Sequence, residues 1–127
     1  MPFHVSRERF AKLVEQAIAS LPPQFAHALD EDVRIEIRDR PTRRQLRNLG
    51  LDEDELLLGL YEGHPLTDRS IETTGRMPDV IFIFQEDCEL VSDSEQQLID
   101  EVRVTVLHEL GHYFGLDEDE LDRLGYG

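Results

Sequence analysis

The stretch His108-Glu109-Leu110-Gly111-His112-Tyr113-Phe114-Gly115-Leu116-Asp117-Glu118-Asp119-Glu120-Leu121 decides the reading of this chain. It holds His-Glu-x-x-His followed by x-x-Gly-x-x-Glu. Residues four apart on a helix stand on one side, so His108 and His112 present their imidazoles together. Glu109 lies one position round the helix, beside that pair.

Two imidazoles on one helical face are a metal-binding arrangement, and zinc is the expected ion. Glu109 is placed to act as general base on a water activated by that ion. A hydrolytic zinc site takes three protein ligands and one open position. A third ligand arriving on a helix some two dozen residues further on is not expected, because only 15 residues follow His112. Gly115 offers another route. A glycine can turn the chain through positive φ, so that a residue just beyond it folds back to the histidines. The spacing makes Glu118 the first choice. Asp117 is the alternative, and Asp119, Glu120 or a distant residue stay open.

Upstream, Ser92-Asp93-Ser94-Glu95 reads as a capping box that starts this helix. Leu98, Ile99, Val102, Val106, Leu107, Leu110 and Phe114 then give it a wide apolar stripe, expected of a buried helix. Val104, Thr105 and Val106 lower its intrinsic propensity, so packing must hold it.

A second helix is expected near the N-terminus, where Ser6 can cap a run with Phe10, Leu13, Val14, Ala17, Ile18 and Leu21 at helical spacing. Pro22-Pro23 ends it. Gln24 to Leu29 reads as a further short turn. Val33, Ile35 and Ile37 alternate with charged residues, as in a strand with one wet face. Thr42 with Gln45 predicts a short capped helix over residues 43–49. Residues 56–61 read as a buried strand, with a short helix as the alternative, and residues 80–84 as a strand that could pair with an extended peptide if it lies at a sheet edge, core burial fitting it equally well. Between them lies a long loop, and long loops are more often functional than idle. Residues after Gly115 read as a tail. The expected class is α+β, a small mixed sheet packed on the active-site helix and the N-terminal helix, in one domain over residues 1–127.

Composition narrows the function. Acids outnumber bases 28 to 13, for a formal net charge of −15. Such a surface repels phosphate backbones, so no nucleic-acid partner is expected. The arginines from Arg34 to Arg47 cluster, but no aromatic residue interleaves them as a stacking platform. No membrane span and no leader is read, one cysteine excludes an internal disulfide, and a cytoplasmic monomer is expected. Cys88, among acids, reads as a bystander.

The stretch from Thr105 to Gly115 resembles the zincin-like metallopeptidase family of very small bacterial proteins. Residues 57–70, with Gly63-His64-Pro65, and Pro78-Asp79-Val80-Ile81-Phe82-Ile83 resemble two further hallmarks of it. The resemblance implies a minimal zincin fold whose outer strand overhangs the active-site helix. It implies a zinc-dependent peptidase acting on a peptide or protein substrate. The family commonly has Asp where this chain has Glu118. Candidates for steadying an oxyanion or contacting substrate are His64, Tyr61 and Arg69. The runner-up function is a zinc-containing peptide-binding or regulatory module without turnover, and a metal-dependent RNA hydrolase ranks third.

Overall fold

The computed structural model describes residues 3–63 and 79–125. The elements run α1 (Arg7–Ala19), α2 (Pro23–Glu31), β1 (Val33–Arg38), α3 (Arg43–Asn48), β2 (Gly59–Glu62), β3 (Asp79–Phe84), α4 (Gln85–Leu90), α5 (Glu95–Tyr113) and α6 (Glu118–Leu124). This is the α+β arrangement read from the sequence, with a mixed three-stranded sheet. The strand order is β1-β3-β2, with β1 parallel and β2 antiparallel to β3.

The core forms where α1 crosses α5 and both meet the sheet. Phe10, Leu13 and Ala17 of α1 are fully buried against a cluster that includes Leu98, Val102, Val106 and Leu110 of α5 and Ile81 and Ile83 of β3. Burial on this scale offsets the weak helix propensity of Val104 to Val106. Each fully buried aliphatic side chain contributes about 1.5–3 kcal/mol.

The α5 start, the extent of β2 (Gly59–Glu62 rather than 56–61), the place of β3 and two helices differ from the sequence reading. Helix α5 is capped by Ser94, whose hydroxyl accepts from the Gln97 N–H, two residues later than a box starting at Ser92 would have it. Ser92 instead donates to the Cys88 carbonyl at 2.9 Å. Strand β3 is central, so Val80 to Phe84 has no free edge and cannot add a peptide strand. All its residues are buried except Phe82, which is partly so, and Ile81 and Ile83 pack in the core with α5. Among the described strands β1 and β2 are the outer ones. Two helices also went unread: α4, and α6, which replaces the expected tail. Both are short and acidic, so the apolar period that marks a helix is nearly absent.

Apart from Arg44 and Arg47, the arginine run is tied up in ion pairs. Arg34 and Arg38 pair with Glu36, Arg43 with Glu53, and Arg40 with Asp87. Among the described residues no helix is long and apolar enough to cross a membrane.

Candidate metal centre and its surroundings

Helix α5 ends in a turn that aims the chain back at its own histidines. Gly115 has φ of +83°, a conformation that favours glycine. The Gly115 N–H donates to the His112 carbonyl at 3.0 Å and the Leu116 N–H to the Gly111 carbonyl at 2.9 Å. These two bonds make a Schellman motif. Asp117 then caps α6, its carboxylate accepting from the Glu120 N–H at 2.8 Å, while Glu120 accepts from the Asp117 N–H at 3.1 Å. Glu118 is the first residue of α6.

The close approach of α6 to α5 depends on Gly111. A Cβ there would strike the Leu121 side chain, which is fully buried. The glycine inside the histidine motif is therefore the seat on which α6 docks.

Three donor atoms converge as a result. His108 Nε2 lies 3.3 Å from His112 Nε2. Glu118 Oε1 lies 3.4 Å from His108 Nε2 and 3.2 Å from His112 Nε2. A tetrahedral zinc with bonds of about 2.0–2.2 Å has ligand atoms about 3.3–3.6 Å apart, so the triangle has the size and the donor chemistry for that ion. His108, Glu109 and His112 also offer ligand atoms within 4.8 Å of one another. Glu109 is the poorer third donor, since its nearer contact to His108 is 3.9 Å and its other oxygen is engaged elsewhere. Asp117 and Glu120 are occupied in capping α6.

The electrostatics suit these roles. Burial, and then the His108 charge, hold the His112 pKa below its ordinary value, which favours the neutral imidazole that ligates metals. Burial pushes Glu109 up to about 7, against the opposing pull of the Tyr61 N–H and His108. The Tyr61 N–H donates to Glu109 Oε1 at 2.9 Å. Because the Phe84 N–H donates to the Leu58 carbonyl, the antiparallel alternation turns the backbone groups of Gly59 and Tyr61 away from β3. The outer edge of β2 thus faces the site, and Gly59 packs directly on Thr105 of α5.

Of the other candidates, the Tyr61 hydroxyl donates to buried Asp79 at 2.6 Å, and its ring meets Tyr113 edge-on. What Tyr61 brings to Glu109 is its backbone. His64 and Arg69 lie outside the described residues. Sequence reasoning missed the Tyr61 N–H, which no side-chain pattern could reveal. It also missed Glu101, seven residues before His108 on the same helical stripe, which spacing alone could have found.

A cavity of about 240 Å³ adjoins His108 and Glu109, between α5 and the segment Leu57 to Gly59. A larger one, of about 430 Å³, lies among Phe3, His4, Arg7 and Glu89, and neither His108 nor His112 lines it.

The sequence profile of the zincin-like metallopeptidase family matches residues 30–127. Among solved structures, a conserved hypothetical protein from T. thermophilus is similar over 94% of this chain and 97% of its own, with a TM-score of 0.54 and 25% identity. No curated protein matches.

Proposed function

The chain belongs to the zincin-like metallopeptidase family, and from that premise we propose that it hydrolyses peptide bonds, with His108, His112 and Glu118 holding zinc and Glu109 as general base. The observation that carries this is the triangle of donor atoms, 3.2–3.4 Å on each side, with the Glu109 carboxylate beside it. When bound, zinc supplies Lewis acidity that polarises a carbonyl and makes water a better nucleophile.

The remaining work falls to the chain. The Tyr61 N–H holds one oxygen of Glu109, which leaves Oε2 as proton acceptor. Glu109 takes a proton from the attacking water as its oxygen bonds to the scissile carbonyl carbon. It returns that proton to the amide nitrogen as the C–N bond breaks. The outward backbone of Gly59 can pair with an extended peptide, laying it along β2 and across the histidines. The buried surroundings of Glu109 limit competing water and strengthen each of these interactions.

The test is Glu109→Gln. The variant should keep its zinc and lose about 10²–10⁴-fold in peptide cleavage. Cleavage that survives undiminished rules Glu109 out as the base. Full zinc occupancy in His108→Ala rules out the metal site.

A further inference from the structure

We propose that Glu101 forms the end of a specificity subsite that takes a lysine or arginine side chain of the peptide, next to the bond cleaved. The inference rests on the peptidase reading and adds the substrate class to it.

Glu101, Thr105 and His108 follow one another at helical spacing on one face of α5. All three line the same cavity, which Glu109 also borders. The cavity is therefore continuous with the residues proposed to do the chemistry. Its volume of about 240 Å³ is below the ~300–1,000 Å³ of pockets that enclose a whole small ligand. It suits one side chain.

Its walls sort by polarity. Its apolar lining is Leu57, Leu58, Val104 and Thr105, and Gly59 packs on the Thr105 methyl. Among the described residues, the acids on the lining are Glu101 and Glu109, and no Lys or Arg lines it. Seven residues separate Glu101 from His108, about 10 Å along the helix axis. A group placed at His108 must therefore cross an apolar stretch before it meets the Glu101 carboxylate. Lysine and arginine have that construction, an aliphatic stem with a cation at its tip. A short side chain would not reach, and a long apolar one would strand the carboxylate.

Glu101 is also free to receive a cation. It is half-buried, yet it makes no hydrogen bond or ion pair with any described residue. The acids with comparable or greater burial are engaged. Asp87 holds Arg40, Glu89 holds His4 and the Val5 N–H, and Glu36 holds Arg34 and Arg38. Half-burial weakens solvent screening, so a cation delivered there gains a charge-assisted bond.

The test uses a peptide pair that differs only in lysine against norleucine at the residue flanking the bond cleaved. Binding to zinc-loaded Glu109→Gln protein is measured by titration calorimetry, and cleavage by the wild-type protein is followed in parallel. The lysine peptide should bind about tenfold more tightly than its norleucine counterpart. Glu101→Gln, introduced into the Glu109→Gln protein, should remove that difference, and Glu101→Arg should reverse it towards a glutamate-bearing peptide. Equal binding of the two peptides, or a lysine preference that survives Glu101→Gln, overturns the subsite. Cleavage without lysine preference leaves the peptidase standing and the subsite fallen. A Glu101-dependent lysine preference in binding without any cleavage does the reverse.

Discussion

The backbone N–H of Tyr61 donates to the Glu109 carboxylate at 2.9 Å, so the outer strand and the proposed base are fixed to each other. The same residue spends its hydroxyl on buried Asp79. The two functions can be separated by Tyr61→Phe. The backbone bond to Glu109 persists, and about 1–2 kcal/mol of stability is lost with the hydroxyl. The fall in kcat should stay well short of the ~10²-fold that removing an oxyanion donor costs. Denaturant titration alongside steady-state cleavage reads both, and a kcat loss of that larger size would restore the hydroxyl as an oxyanion donor.

Gly111→Ala should weaken zinc binding through α6. Alanine is the better helix former by about 1 kcal/mol, so α5 itself gains. The new methyl group strikes Leu121 and moves α6, and Glu118 with it. Zinc affinity should fall by more than about tenfold, the lower end of what losing even an indirect partner costs. Adding Leu121→Val shortens the obstructing side chain and should recover much of it. Unchanged affinity in a competition titration of the single variant would mean that α6 does not position the third ligand.

Arg40→Ala should cost about 3 kcal/mol in urea unfolding, because it leaves a buried carboxylate without its cation. Asp87 is fully buried, accepts from Arg40 Nε at 2.9 Å, and also accepts from the Leu57 N–H at 2.9 Å. The lost pair therefore also loosens the segment that enters β2. A cost under about 0.5 kcal/mol, the range of ordinary surface changes, would show that Asp87 is satisfied without the guanidinium.

The pH dependence of stability should carry a signature of Glu89. Burial alone would raise its pKa, but hydrogen bonds from the Val5 N–H, His4 and Gln85 outweigh it and hold the group below its ordinary 4.5. A depressed folded pKa stabilises the fold above the unfolded value, and that contribution is lost as pH falls through the folded one. The stability gap between wild type and Glu89→Gln should be full above about pH 4.5 and shrink below it. Thermal melts of both proteins across about pH 3 to 7 measure it, and a gap that widens on acidification has the wrong sign.

Cys88 should resist alkylation until the protein unfolds. Burial, reinforced by Asp87, Glu101 and Glu89, pushes its thiol up to about 12. The nucleophile is the thiolate, which is scarce at neutral pH under those conditions. Iodoacetamide labelling at about pH 8 should follow the unfolding curve in urea, and rapid labelling of the native protein would contradict the burial.

The sequence by itself determined the histidine pair, Glu109, the turn at Gly115 and the main helices. Each is a short-range pattern: i and i+4 on a helix, a cap three residues before the N–H that donates to it, or a glycine where φ must be positive. It left the proposed third ligand open among neighbouring acids, because four carboxylates in a row are alike in composition. Tertiary structure separated them by what each faces. Asp117 and Glu120 cap α6, while Glu118 lies 3.2–3.4 Å from both imidazoles. The sequence also left β3 open between a sheet edge and the buried core, because edge or centre depends on which strands pair, and pairing is non-local. β3 took the centre because β1 and β2 flank it. The Tyr61 N–H beside Glu109, the cavity ending at Glu101 and the seat of Leu121 on Gly111 are contacts between segments far apart or on separate helices. Only the folded chain decides those, since they follow from packing rather than from the period of any one stretch.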